Sequence, residues 1–135
     1  MKDDCIFCKL ANGVFETNVI YEDELFTVIL DASPANPGHA LILPKKHYTN
    51  IFDIDEEVLS KAIKLAKKTS ERMTEVLGCE GVNIVQNNNE AAGQTVFHFH
   101  IHVIPRYRND NQVIGWTPHE ADDKEQTLIK EKLKF

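Results

Sequence analysis

The sequence predicts an α+β fold: about five strands in an antiparallel sheet, one long helix on one face and a short helix near the N-terminus. Three observations predict it. Asp55–Leu77 is the one long segment with apolar residues at a 3.6-residue period. Short β-branched and aromatic runs lie on both sides of it, at Val19–Tyr21, Leu25–Leu30, His39–Leu43, Val82–Val85 and Val96–Ile104. Turn-forming residues separate those runs. The chain has 135 residues, the length of one domain. At that size a fold removes roughly 68–70% of the unfolded surface from water.

Each element has a local reason. Residues 5–12 read as a short helix that stops before Gly13. Glu22-Asp23-Glu24 joins the first two strands as a hairpin. Ser33-Pro34-Ala35-Asn36-Pro37-Gly38 is a loop, since two prolines and a glycine leave no regular structure. His39–Leu43 follows as a strand, stopped by Pro44. In the long helix, Val58, Ala62, Leu65, Ala66, Thr69, Met73, Val76 and Leu77 form the buried stripe. Asp53 and Glu56 read as a capping box, and Gly78 as the terminating glycine. Lys61, Lys64, Lys67, Lys68 and Arg72 crowd the other side, which reads as a solvated face. Asn87–Gly93 is a polar loop, and Val96–Ile104 is a strictly alternating strand ended by Pro105. From Asp122 the tail places acids first and lysines last, which suits a short helix and its dipole. The whole of 1–135 is taken as one domain, with its core at about 4–107 and a tail at 108–135.

Composition excludes several function classes. Hydrophobic residues make up 42% and charged residues 27%, as in a soluble globule. Fifteen basic against twenty-one acidic residues give a formal charge of −6, which argues against a partner read through a nucleic-acid backbone. No apolar run approaches the ~20 residues of a membrane span. Met1-Lys2-Asp3-Asp4-Cys5 holds no apolar leader segment. Three cysteines, two of them in Cys5-Ile6-Phe7-Cys8, read as half of a metal site or a redox pair in a cytoplasmic protein. Cys79 reads as a small buried residue.

The chemistry is concentrated in His98-Phe99-His100-Ile101-His102. On a strand, alternate residues share a face, so the three imidazoles line up roughly 6.5–7 Å apart. Phe97, Phe99, Ile101 and Val103 then face the core. Two uses of such a row are open. The histidines could be ligands to a catalytic zinc, although three same-face residues diverge along a strand. Alternatively, one imidazole is a nucleophile and its neighbours orient it and serve the leaving group. Gln94, Thr95 and the loop Asn87–Gly93 supply amide, hydroxyl and backbone donors suited to phosphate oxygens.

His98-Phe99-His100-Ile101-His102-Val103-Ile104 resembles the His-φ-His-φ-His-φ-φ motif of the histidine triad (HIT) family of nucleotide hydrolases and transferases. Ile6-Phe7, Tyr21-Glu22-Asp23, Asp31-Ala32-Ser33-Pro34, Pro37-Gly38-His39, Pro44-Lys45-Lys46-His47 and Gly93-Gln94 extend the resemblance in order and spacing over about residues 4–107. They are similar to the branch that contains the small purine-nucleoside phosphoramidases.

The resemblance implies a set of roles. His100 is the nucleophile, attacking the α-phosphorus to form a nucleotidyl-histidine that water then hydrolyses. The carbonyl of His98 orients it, His102 bonds the phosphate or leaving group, and His39 supports the triad from a neighbouring strand. Gln94 and Thr95 lie beside the scissile bond, and Asn87 contacts phosphate and ribose. Asp31 binds the ribose hydroxyls, and Ile6, Phe7, Ile29 and Leu41 line the base slot. Cys5, Cys8, His47 and His98 form a structural Cys₂His₂ zinc site. The partners implied are a purine nucleotide or nucleoside phosphoramidate and a second copy of the chain, in a homodimer with a continuous sheet. The eukaryotic branch ends in Trp-Pro-Pro-Gly, which completes the partner's site; here the tail runs Gly115-Trp116-Thr117-Pro118-His119. A non-catalytic nucleotide sensor built on the same pocket remains open at this point.

Overall fold

The computed structural model describes residues 1–135. The sheet has five strands, β1 (Val19–Glu22), β2 (Phe26–Leu30), β3 (Ala40–Pro44), β4 (Gly81–Val85) and β5 (Ile101–Arg106). Their order is β1-β2-β3-β5-β4, and every neighbouring pair is antiparallel. Three helices accompany it, α1 (Ile6–Ala11), α2 (Glu56–Leu77) and α3 (Asp123–Leu133). The α+β architecture expected from the sequence is therefore present.

The sheet is covered on both faces, which is why β2 and β3 read as nearly unbroken apolar runs. Phe26, Val28, Ala40 and Ile42 join the larger core with Ala62, Leu65, Ala66 and Met73 of α2. Phe99, Ile101 and Val103 belong to the same core. The intervening Ile29, Leu41 and Leu43 pack on the other side with Ala11, under Phe7 and Leu10. Thr27, buried between them, donates its hydroxyl to the Ala11 carbonyl at 2.7 Å and so holds the end of α1 on the sheet. The face under α1 is the one that carries His102, opposite Ile101 and Val103.

Three local expectations need correction. First, the strand expected over Val96–Ile104 starts only at Ile101 and runs on through Pro105 to Arg106. Residues 94–100 are irregular because their backbone groups are used elsewhere: the Phe99 N–H donates to Tyr48 O at 2.7 Å, and the His98 carbonyl accepts from an imidazole. The histidines therefore do not form one row, and Phe97, expected in the core, is 48% exposed. Pro105 is tolerated because the pairing of β5 with β3 ends at Ala40↔Val103, leaving only β4 beside it. Second, the cap of α2 is Asp55, whose carboxylate accepts from the Val58 N–H at 3.1 Å. Asp53 instead caps the preceding turn through the Thr49 and Asn50 amides. Third, Val76 and Leu77 at the end of the α2 stripe lie on the surface.

The tail bears out the helix read from its charge order. Asp122 caps α3 and none of the helix's residues is buried. No helix of the protein is long and apolar enough to cross a membrane.

Gly38 sits at φ +98°, where a Cβ would also meet Leu77 Cδ1 at 2.6 Å. Gly38→Ala is expected to destabilise the fold by about 1–3 kcal/mol, chiefly through the backbone. A lower denaturant midpoint at unchanged slope would record it.

Candidate active site

Four buried or half-buried imidazoles meet on the α1 face of the sheet, and main-chain groups assign their protons, three directly and the fourth through a neighbouring ring. The Pro44 carbonyl lies 2.8 Å from His98 Nε2. A carbonyl only accepts, so His98 carries its proton on Nε2 and leaves Nδ1 as a lone pair. The His98 carbonyl lies 2.7 Å from His100 Nδ1, which must donate. That leaves the lone pair of His100 on Nε2. The Ala35 N–H donates to His39 Nδ1 at 2.9 Å, so His39 holds its proton on Nε2. His39 Nε2 in turn lies 2.9 Å from His102 Nδ1, which accepts and places the His102 proton on its own Nε2. Adjacent rings thus offer a lone pair at His100 and a donor at His102, with ring centroids 5.0 Å apart.

All four rings are held neutral. Burial pushes His98 and His102 down to about 4, the second helped by the proximity of His100 and His39. Burial also lowers His100 and His39, with Asp31 partly opposing it in both. Phe7 closes the site edge-on against His100, with centroids 4.9 Å apart.

His98 points away from its two partners, toward the N-terminus of α1. Its Nδ1 lies 3.4 Å from Cys5 Sγ and 3.4 Å from Cys8 Sγ, and His47 Nδ1 lies 3.3 Å from Cys8 Sγ. The four ligand atoms fall within 4.8 Å of one another. Tetrahedral zinc with ordinary bond lengths sets sulfur and nitrogen about 3.6 Å apart, close to these separations. The Pro44 carbonyl presents the correct tautomer of His98 for ligation. Amides of Lys2 and Cys8 donate to the two sulfurs at 3.4 Å, which favours thiolates. The donor set fits a metal ion.

Asp31, His39 and His102 also cluster, with Asp31 Oδ2 at 3.5 Å from His39 Nε2 and 3.9 Å from His102 Nδ1. Here the ring nitrogens are already consumed. Metal on His39 Nε2 would force its proton to Nδ1, against the Ala35 N–H. This group is a proton-ordered chain. The same inventory answers the question of a catalytic metal on the histidine row: His98, His100 and His102 direct their Nδ1 atoms at three different partners and do not converge.

The remaining predicted residues are placed as follows. Asp31 caps the turn through the Ser33 N–H at 2.8 Å and leaves Oδ2 facing the imidazoles. Gln94 is buried: its amide donates to Thr49 O and Val96 O, and its oxygen accepts from the Asn89 N–H. It braces the loop from within. Thr95 is exposed. Asn87 is half-buried, its amide beside Gly93. Ile29 and Leu41 form an apolar floor beneath Phe7, while Ile6 is exposed. The roles of Ala35, Pro44, Tyr48, Asn50 and Asn89 in the site were not read from the sequence. The first three act through main-chain atoms, and Asn50 bonds Asn89 from inside the loop.

An antiparallel sheet with this imidazole set defines a histidine-triad fold. The chain belongs to the HIT family, described as the HIT domain, which matches residues 12–109. It is 44% identical over 124 residues to an uncharacterised HIT-like protein of Methanocaldococcus jannaschii, covering 92% of this chain and 95% of that one. It is 37% identical over 131 residues to the adenosine 5′-monophosphoramidase of Saccharomyces cerevisiae, covering 96% and 80%. Among solved structures it is similar to a Zn-bound histidine triad family protein of Mycobacterium smegmatis, with TM-score 0.79 and 36% identity over 86% of this chain and 84% of that one.

Two outcomes are expected. Cys8→Ser and His47→Gln should weaken zinc binding more than about 100-fold, while His100→Ala keeps one equivalent, measured by metal analysis after competition with a chelator. For pH, the folded state refuses a proton at His102 that the unfolded chain takes up below its ordinary 6.5. The stability is complete above 6.5 and is lost as pH falls through about 4. Urea melts over that range should show a loss on the order of 3 kcal/mol from this ring, which His102→Gln removes.

Proposed function

We propose that the protein is a nucleotide hydrolase or nucleotidyl transferase that cleaves at the α-phosphate of purine-nucleoside phosphoramidates or dinucleoside polyphosphates. The observation that carries this reading is the His100 ring: its Nδ1–H is tied to the His98 carbonyl, and its Nε2 lone pair is left free beside a donor on His102. In the first step His100 Nε2 bonds to phosphorus as the phosphorus–nitrogen or phosphoanhydride bond breaks and the leaving group departs. Water then attacks the phosphorus, the bond to Nε2 breaks, and the monophosphate leaves. The His102 Nε2–H donates to a phosphoryl oxygen or the leaving atom, where negative charge grows. Asp31 holds the ribose hydroxyls, Asn87 and Thr95 bond phosphate oxygens, and Ile6, Phe7, Ile29 and Leu41 receive the base. The relation to a named adenosine monophosphoramidase supports a nucleoside phosphoramidate as substrate.

The metal in this reading is zinc, held by Cys5, Cys8, His47 and His98. A zinc with four protein ligands has no open position and supplies structure rather than Lewis acidity. It ties the start of α1 to the segment that bears the nucleophile. The reading includes a homodimer. Ile63, Val76 and Leu77 on α2, Ile84 on the edge strand β4 and Trp116 in the tail leave apolar surface for a second copy to cover. Cysteines used as zinc ligands and not as a disulfide suit a reducing cytoplasm.

His100→Ala should lower turnover of adenosine phosphoramidate by more than roughly 10³-fold. Rapid quenching of wild type should find one adenylyl group on His100. Turnover near the wild-type rate in the variant would reject the nucleophile. Tight binding of the monophosphate without turnover by wild type would assign the chain as a sensor.

A further inference from the structure

The donor on His102 depends on a loop that the triad itself does not hold. Ala35, whose N–H fixes the His39 tautomer, lies in the two-proline loop before β3. That loop is fastened from the far end of β5. Asn36 Nδ2 donates to Asp110 Oδ2 and to the Pro105 carbonyl, both at 2.9 Å. Gln112 Nε2 donates to the Ala35 carbonyl at 2.7 Å. The Asn36 carbonyl then accepts from the His39 N–H at 3.0 Å, closing the turn.

Asp110 is the hub of this fastening. Arg106 grips it with two bonds, Nε to Oδ2 at 2.8 Å and Nη2 to Oδ1 at 3.0 Å. The Tyr107 and Gln112 amides donate to the same carboxylate at 3.0 Å each. Arg106 is itself anchored to Asn83 Oδ1 on β4 at 2.6 Å and to the Gln112 carbonyl at 2.7 Å. The guanidinium holds the Asp110 carboxyl well below the usual range, so it stays ionised at any working pH. Five donors on one carboxylate that contacts no imidazole exceed what an ordinary surface turn requires.

We infer that Arg106, Asp110, Asn36 and Gln112 form a positioning network for the reaction, keeping the Ala35 N–H on His39 Nδ1 and thereby the His102 proton on Nε2. The inference rests on the triad reading above for its catalytic meaning. None of these four side chains need touch substrate. If the loop relaxes, the Ala35 N–H leaves His39, and both tautomers of His39 become available. His102 then loses its fixed donor, because a His39 proton on Nδ1 leaves His39 Nε2 as an acceptor facing His102 Nδ1.

The test is two-bond ¹H–¹⁵N correlation of imidazoles in the full-length zinc-loaded protein at neutral pH, paired with steady-state kinetics on adenosine phosphoramidate. Wild type should show Nε2–H forms at both His39 and His102. Asp110→Asn puts an amide donor among the donors, and Gln112→Ala removes the bond to Ala35 from an exposed position that the core does not need. Each should bring a mixture of tautomers at His39 and His102. Each should also lower kcat about tenfold while KM moves less than about twofold. Arg108, on the same turn as Asp110, pairs at the surface with Glu80 before β4 and has no bond to the loop, so Arg108→Ala should change neither readout. Unaltered tautomers in both Asp110→Asn and Gln112→Ala would overturn the inference, as would an equal kcat loss in Arg108→Ala. Absent turnover in wild type would sink the nucleotide-hydrolase reading, whereas the tautomer spectra would still decide this one.

Discussion

The structure depends on one constraint: main-chain groups of fixed polarity set the imidazole protons of the site, directly at His98, His100 and His39 and through His39 at His102. Neutral histidine has two tautomers of similar energy, so its use as nucleophile, donor or ligand is undetermined until something fixes the proton. Side-chain partners could rotate or titrate. The Pro44 and His98 carbonyls and the Ala35 amide do neither, and they are held by β3, the 94–100 segment and the loop before β3. Burial adds the second half of the arrangement, because it keeps the rings neutral and so preserves one donor and one lone pair on each. Protonation would erase every one of these distinctions.

This constraint separates two clusters that proximity alone makes look alike. Cys5, Cys8, His47 and His98 bring two sulfurs and two ring nitrogens together around one point. Asp31, His39 and His102 are as close together, yet their protons are already threaded from the Ala35 amide to His102 Nε2. A cation fits the first set by replacing the thiol protons between sulfur and ring nitrogen, and it leaves every bond to the main chain in place. In the second it would have to break the bond to Ala35 or create an imidazolate.

The elements of regular structure were legible because their signals are local. The 3.6-residue stripe from Val58 to Met73 located α2, and the turn residues divided the strands. The histidines and cysteines that the structure brings together were singled out too, since an alternating histidine run and a C-x-x-C pair are side-chain signals. What failed was the period-2 reading of Val96–Ile104. Alternation of histidine and apolar residues is the pattern of a half-buried strand, and its apolar half holds from Phe99 to Val103, since Phe99, Ile101 and Val103 all join the larger core. At Phe97 and His98 the same pattern has another cause. Phe99 anchors the core, and His98 turns to cysteines 90 or more residues earlier in the chain. Nothing within a short window of sequence reports such a distant partner. The Ala35, Pro44 and Tyr48 contributions were invisible for a stronger reason, because a main-chain atom has the same chemistry whatever residue carries it.

The late start of β5 follows from the same competition. A sheet ladder and this site require the same main-chain groups. Had β5 begun at Val96, the His98 carbonyl and Phe99 N–H would belong to its neighbours in the sheet, and His100 would have no fixed acceptor. Instead the Phe99 N–H is satisfied by Tyr48 O, which keeps a buried donor from going unpaired and leaves the His98 carbonyl free to turn inward. Gln94, buried and bonded to Thr49, Val96 and Asn89, stabilises that irregular path where the ladder does not. His98 then serves twice, its ring toward the cysteines and its carbonyl toward His100. Fixing the ring therefore fixes the peptide that orients His100, and the N-terminal segment reaches that imidazole through His98 as well as through the Phe7 ring.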